Sequence, residues 1–448
     1  MQLKPNNQSV IKKYINFFLS NTYSIFALYI LSLSIVTIIY CKIYSQLHPE
    51  QIGENGEYLI NKIGFFFSEI MNDLMNGDKP KRTFGGVEFY IAKMPLFQNL
   101  FFFLHSKVTE NFIFIHLIKN LSLGTIIFLF IKFYDKKLNN LFLFLMLLAI
   151  FYVPHNVITI LSTNFEEGIL IYLLVILFLT LTQNFRYRNS IIALTLSLIF
   201  FLKASMFYLS FGLALIFLLV EKGKGKFLPI ILILISTIFW GLNSYYKTGK
   251  FAFGPSNTSV NGITTGITFH DKFTRSYPIH NPDIYYDDVS REVQNQNFKS
   301  EWEVNDYFLK KSLNYVKNNP LDVAKGLSQK LYILFLSPYK DTRTPVQYLA
   351  ENKKNPIRYS NIPNKIFFII TIFLLLKSLL NFKKLDSFLK TKNVYFFSII
   401  VLYLFPYMAV YIFPRHCVPI YVLSHIYLVL YLTYSNKFPN LKNLFQRF

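Results

Sequence analysis

The sequence predicts an all-α polytopic membrane protein with about ten transmembrane helices and two long extracytoplasmic loops. Three observations lead to this prediction. Of the 448 residues, 53% are hydrophobic and only 16% are charged, and the mean hydropathy is +0.34. The hydrophobic residues come in blocks about as long as a bilayer-spanning helix. Lys and Arg are concentrated in short segments between alternate blocks. These features exclude a soluble enzyme, and an aromatic content of 18% excludes a disordered chain.

The predicted spans follow from hydropathy averaged over a window of about 19 residues. No repeat of 20–50 residues is visible. The spans are 23–45, 111–131, 139–153, 167–182, 190–202, 204–220, 227–246, 364–382, 393–413 and 416–434.

The charge distribution predicts the orientation. With the N-terminus in the cytoplasm, the short inner segments hold 19 Lys and Arg residues, whereas the short outer loops hold only Lys203 and Arg415. Excess positive charge on the cytoplasmic side is typical of membrane proteins, so both termini are predicted to be cytoplasmic, with the chain in the cell (inner) membrane. The same rule accounts for the net charge of +22, and nucleic acid is not expected as a partner.

Three regions follow from this topology. Residues 1–246 form an N-terminal transmembrane module with a first outer loop at 46–110, residues 247–363 form a second outer region, and residues 364–448 form the C-terminal helices and tail. We expect interfacial helices at 59–75 and from Pro95 in the first loop. In the second, we expect an amphipathic helix at 305–318 and another at 322–335 that becomes apolar toward the membrane.

Charged residues at the predicted outer face are the candidates for a functional site. Lys203 and Arg415 are notable because their short loops carry no other charge. Transfer of a sugar from a lipid phosphate would use such a set: cations stabilise the charge that develops on the phosphate, and a carboxylate removes the proton of the acceptor hydroxyl. The candidates are Glu54, Glu57, Glu166, Glu167, Lys203, Lys330 and Arg415.

Other polar residues give weaker indications. A ten-residue separation between His270 and His280 matches no compact metal-ligand motif. His116 and Lys119 in the second span are predicted to face the bundle interior, and their role is open. Cys41 and Cys417 lie near the outer face, where unpaired thiols are favoured over a single disulfide bridge.

The order of these features resembles the GT-C integral-membrane glycosyltransferases, in particular the dolichyl-phosphate-mannose protein mannosyltransferase and aminoarabinose transferase group. The likeness covers residues 50–430. Lys93, Glu54 and His416 depart from the family pattern, which more often has Arg, Asp and Tyr there. The matching stretches are Glu54-Asn-Gly-Glu57-Tyr58, Lys93-Met-Pro-Leu-Phe97, Asn164-Phe-Glu-Glu167, Leu202-Lys203-Ala204, Tyr315-Val-Lys-Asn-Asn-Pro320 with Lys330, and Arg415-His416-Cys-Val-Pro419.

The resemblance implies an inverting transferase that uses a polyprenyl-phosphate sugar donor and a lipid, glycan or protein acceptor. Glu54 would be the general base, with Glu57 and Glu167 holding hydroxyl groups. Lys203 and Arg415 would bind the phosphate, with Lys330 as a third cation and Tyr58 and His416 as further substrate contacts. No cofactor is implied with certainty, and a divalent metal is left open.

Two alternatives are compatible with the same sequence. An O-antigen or polysaccharide polymerase also combines ten or more spans with a large outer loop. A lipid-linked oligosaccharide flippase would carry charges along a central cavity. The sequence favours a transferase over a flippase because few charges lie within the predicted spans.

Overall fold

A computed structural model describes residues 21–47, 82–90, 111–134, 167–182, 185–202, 205–253, 291–336, 362–380, 387–409, 412 and 414–434. Helices account for 87% of these residues, which confirms the predicted helical class. The helices are α1 (Thr22–Leu47), α2 (Phe112–Tyr134), α3 (Glu167–Leu181), α4 (Arg188–Leu202), α5 (Met206–Val220), α6 (Leu228–Thr248), α7 (Glu301–Asn318), α8 (Pro320–Phe335), α9 (Ile362–Leu380), α10 (Ser387–Ala409) and α11 (Pro414–Tyr434).

The described helices coincide with the predicted spans to within a few residues, except that the span at 139–153 lies outside the described residues. Within the part of the chain that the structure describes, four helical segments are long and apolar enough to cross a membrane: Thr22–Lys42, Lys224–Thr248, Ile362–Leu380 and Lys390–Ala409. The segment in α2 and those in α3, α4, α5 and α11 are apolar but shorter than 18 residues. The described part of the chain is therefore a bundle of apolar helices, whereas the number of spans and their orientation stay predictions.

Helix α3 lies at the centre of the bundle. It packs against α2, α4, α10 and α11. Every residue from Glu167 to Leu181 is buried except Ile176, which is partly buried. A helix that is hydrophobic on all sides has no face for water, so its sequence is suited to this position.

A short β-hairpin in the first predicted outer loop was not expected from an all-α prediction. Strand β1 (Arg82–Phe84) pairs antiparallel with β2 (Val87–Phe89). Gly85 and Gly86 between them have φ values of 57° and 80°, as a two-residue type I′ turn requires. The two interfacial helices predicted in this loop, at 59–75 and from Pro95, lie outside the described residues.

The hairpin packs against the second predicted outer region. Val87 and Phe89 form a small hydrophobic cluster with Val304 and Phe308 of α7 and with Val293. The backbone N–H of Tyr90 donates to Oε1 of Glu301, the first residue of α7, at 3.4 Å. Described parts of the two predicted outer regions, with Tyr90 and Glu301 211 positions apart, are thus joined in one small unit.

The predicted amphipathic helices of the second region are present, and both begin earlier than predicted. Helix α7 begins at Glu301 rather than 305, because Ser300 caps it by accepting the N–H of Glu303. Helix α8 begins at Pro320 rather than 322. Proline is common in the first turn of a helix, because a backbone N–H at that position has no acceptor within the helix and proline lacks this N–H.

An ion-pair network ties several helices together at the end of the bundle predicted to face the cytoplasm. The guanidinium of Arg188 donates to both carboxylate oxygens of Glu221, at 2.9 and 2.7 Å. Arg188 also donates to the carbonyls of Thr180 and Leu181 in the last turn of α3, and the Tyr395 hydroxyl donates to Glu221 at 2.8 Å. The network therefore joins the ends of α3, α4, α5 and α10.

Candidate functional site

A buried carboxylate and a buried imidazole meet at the opposite end of the bundle. Glu167 is the first residue of α3 and His416 is the third residue of α11. His416 Nε2 lies 3.4 Å from Glu167 Oε1, and both side chains are almost completely shielded from solvent. The contact is an ion pair when the imidazole is protonated and a hydrogen bond when the neutral ring carries its proton on Nε2. Two of the residues selected from the sequence are therefore direct partners.

Helix α10 holds the His416 ring in place. The ring of Tyr407 stacks on the imidazole with a centroid distance of 4.3 Å and an interplanar angle of 28°. The Tyr403 hydroxyl donates to the backbone carbonyl of His416 at 2.7 Å. Pro406 lies between these two tyrosines inside α10, and Pro419 lies inside α11. Each proline removes one helical hydrogen bond close to the pair, which loosens the regular backbone where polar side chains gather.

Lys330 reaches the same end of α10 from α8. Its Nζ donates to the carbonyl of Met408, the residue after Tyr407, at 2.8 Å. Burial lowers the pKa of Lys330 to about 8. At neutral pH the ammonium form still predominates, so Lys330 adds a positive charge at the end of α10 that also holds Tyr407, the residue stacked on His416.

The remaining residues selected from the sequence have different outcomes. Arg415 lies in the first turn of α11, next to His416, but its side chain is outside the described residues. The residues that the resemblance implies for catalysis and for part of the substrate site also lie outside them: Glu54, Glu57, Tyr58 and Lys203. Glu166, a further candidate at the predicted outer face, lies outside them as well.

Three residues at this site were not selected from the sequence. Tyr403 and Tyr407 occur four residues apart in an apolar span, so both lie on one face of α10. This spacing could have identified them. Lys365, near the start of α9, is buried. In the sequence Lys365 falls within the predicted span 364–382, so it was not selected as a cation of the predicted outer face.

A second polar group lies deeper between α1, α2 and α3. The Asn120 side chain donates to Thr37 at 3.1 Å and accepts the hydroxyl hydrogen of Tyr172 at 3.0 Å. His116 and Lys119 of α2 are buried, which confirms the prediction that they face the interior.

Lys392 of α10 is buried as well. Lys392 and Lys365 lie near the starts of their membrane-length segments, whereas Lys119 lies within α2. The sequence argument against a flippase concerned charges in the middle of spans, and the two lysines near helix starts do not test it.

A metal site has limited support in this region. Glu167 and His416 supply two of the ligand types that bind metals, but the described residues contain no group of three His, Cys, Asp or Glu that could hold an ion. Cys41 and Cys417 are buried free thiols, as the sequence favoured. His270, Asp271 and His280 lie outside the described residues.

The four described helical segments of membrane-spanning length and apolar composition indicate a helical membrane protein. Comparison of the chain with protein-family models finds no matching family, and comparisons with curated proteins and with solved structures find no match either.

Proposed function

We propose that the chain is a membrane glycosyltransferase that moves a sugar, with inversion, from a polyprenyl-phosphate donor to an extracytoplasmic acceptor. The observation that supports this best is the contact between Glu167 and His416. Lys330 binds the Met408 carbonyl at the nearby end of α10, and Arg415 precedes His416 in the backbone of α11. These groups come from three helices, α3, α8 and α11, that are far apart in the sequence. The proposal also relies on the resemblance described above.

The cations of this site suit a phosphate leaving group. When the bond between the anomeric carbon and the phosphate breaks, negative charge develops on the phosphate oxygens. Lys330 and Arg415 would stabilise this charge, and the first turn of α11 adds backbone N–H groups that have no acceptor within the helix. Lys203 would be a further phosphate contact. The phosphate would then lie at the ends of the apolar helices, with its polyprenyl chain in the bilayer.

The buried Glu167–His416 pair suits the sugar. A carboxylate accepts hydrogen bonds from sugar hydroxyls, and the imidazole fixed by Tyr407 can donate or accept one. Glu54 would act as the general base, with Glu57 beside it. The acceptor would approach from the aqueous side.

The test is an activity measurement on the full chain in proteoliposomes. A panel of polyprenyl-phosphate sugars is supplied with glycan and lipid acceptors, and products are identified by mass spectrometry. Comparison of surface and lipid-linked glycans from cells with and without the gene identifies the sugar and acceptor to include. Transfer of a single sugar supports the proposal, whereas products of many repeat units indicate a polymerase.

Donor binding gives a second test with a matched control. Arg415→Ala should weaken binding of a polyprenyl-phosphate sugar about ten- to hundredfold, since a charge-assisted contact contributes about 1.5–3 kcal/mol. Arg186→Ala removes an exposed arginine near the opposite end of the bundle and should leave binding unchanged. Equal affinity in both variants would remove Arg415 from the site.

A flippase is the second candidate, because charged and polar groups lie inside the described bundle. Lys119, Asn120 and Tyr172 are buried between α1, α2 and α3, and Lys392 is buried in α10. Movement of a fluorescent lipid-linked oligosaccharide between leaflets of proteoliposomes, without a change in its mass, would favour this function over transfer.

A further inference from the structure

We propose that α8 descends obliquely into the extracytoplasmic interface of the membrane in which the bundle lies. Its exposed apolar side would contact the acyl chains of the bilayer lipids. This inference concerns a lipid surface and does not depend on glycosyl transfer. It rests on where α8 is attached to the bundle, on the order of residues along it, and on the side of the neighbouring helix α9.

The attachments of α8 place its last turns at the depth of membrane helices. The carbonyl of Leu334 accepts the hydroxyl hydrogen of Tyr421, which is seven residues into α11. The ring of Phe335 stacks on Phe368, six residues into α9, with centroids 5.3 Å apart. At a rise of about 1.5 Å per residue, both partners lie about 10 Å beyond the starts of their helices. The C-terminal end of α8 is therefore below the rim of the bundle.

The charges on the exposed side of α8 lie in its first half, where Lys325 pairs with Asp322. Leu321 and Leu327 are exposed there as well. Leu331 and Tyr332 in the last two turns, and Leu336 just after the helix, are 46%, 53% and 64% exposed. From Leu331 onward the exposed side chains that the structure describes are apolar, which suits contact with hydrocarbon.

The adjacent helix α9 is long and apolar enough to span a membrane, and Ile366, Phe367, Ile370 and Phe373 on it are exposed. Phe335 of α8 stacks on Phe368 of α9, which is buried, so the end of α8 is attached to a helix of membrane length. Large apolar side chains exposed beside such a helix indicate acyl chains as the partner rather than water.

Spin labels on single introduced cysteines test this contact in the full chain. The native Cys41 and Cys417 are buried, so labelling is directed to introduced sites. The test sites are Leu331→Cys and Leu336→Cys, and the control is Lys310→Cys on an exposed position of α7. In phospholipid vesicles, collision rates with oxygen and with a water-soluble nickel chelate are measured for each label.

We expect oxygen collisions to dominate at the two α8 sites and nickel collisions to dominate at Lys310→Cys. High nickel accessibility at the α8 sites would overturn the inference, because it would place them in water. Low accessibility to both reagents would also overturn it, since another protein segment or a second copy would then cover α8.

A second measurement avoids the spin label. In Leu331→Trp, lipids brominated on their acyl chains should quench a clearly larger fraction of the tryptophan fluorescence than in the wild type. The two native tryptophans, Trp240 and Trp302, are buried and partly buried. The same quenching in the variant and in the wild type would contradict lipid contact. Retention of the wild-type melting temperature identifies variants that are folded.

Discussion

Loss of the carboxylate in the Arg188–Glu221 pair should destabilise the bundle far more than loss of an exposed ion pair. Glu221→Gln keeps the shape of the side chain but leaves the guanidinium without an opposite charge. The two side chains are only 13% and 20% exposed, and the pair is bidentate. Breaking a buried pair by removing one partner costs about 3–5 kcal/mol.

Residual solvent contact reduces this cost, so we expect a loss of about 2–4 kcal/mol in the free energy of unfolding, or about 30- to 900-fold in the unfolding equilibrium constant. Arg188 also donates to two carbonyls of α3, and these bonds remain in the variant. The measurement is reversible unfolding by sodium dodecyl sulfate in mixed micelles. The matched control is Asp322→Asn, which breaks the exposed pair with Lys325 and should cost no more than about 1 kcal/mol.

The pH dependence gives an independent check. Burial acts to raise the pKa of Glu221, but hydrogen bonds from Arg188 and Tyr395 and the charge of Arg188 outweigh it, so the pKa lies below its ordinary value of 4.5. A lowered pKa stabilises the folded state above the unfolded pKa, and this stabilisation is lost as the pH falls through the folded pKa. The difference between wild type and Glu221→Gln should be constant from about pH 6 to 8 and shrink only below about pH 4.5. If Glu221→Gln costs no more than Asp322→Asn, the network does not hold the bundle together.

Three further predictions concern the site and the topology. Binding of a polyprenyl-phosphate sugar should weaken as the pH rises through about 8, because Lys330 loses its charge there. Lys330→Ala should abolish this pH dependence, whereas Lys325→Ala should keep it. Equilibrium binding measured from pH 6 to 9 checks both variants. Glu54→Gln should reduce sugar transfer about 10²–10⁴-fold while donor binding is retained, and a native rate in the transfer assay would assign the base elsewhere. A cysteine at Asn257 should react with an impermeant thiol reagent in intact cells and one at Gly223 should not; reaction at Gly223 would reverse the predicted orientation.

The sequence predicted the positions of the apolar helices well because bilayer-length blocks of Leu, Ile and Phe have few alternatives to a helix. Helix starts were less well predicted. The start of α7 depends on a cap formed by Ser300 and Glu303, a local signal that the apolar periodicity does not contain. The hairpin was missed although Gly85-Gly86 between Phe84 and Val87 is a typical two-residue turn, because the loop was interpreted only in terms of helices.

The candidate site was predicted in its residue types but not in its contacts. Glu167, Lys330 and His416 were selected for their place at the outer face and for the resemblance. Which of them touch is decided by how α3, α8, α10 and α11 pack, and no local pattern links residues 249 positions apart. Tyr407 was not selected because a tyrosine in an apolar span is ordinary until a neighbouring helix brings His416 onto its ring.

The contact between the hairpin and α7 has a consequence for biogenesis. Tyr90 and Glu301 are 211 positions apart, so the hairpin emerges long before the helix it packs against. At about 5–20 residues per second, synthesis of the intervening chain takes on the order of 10–40 s. During that interval Val87 and Phe89 lack their apolar partners on α7. A ribosome stalled before α7 would therefore leave a nascent chain with an unsatisfied apolar patch, which chaperones and proteases can recognise as incomplete.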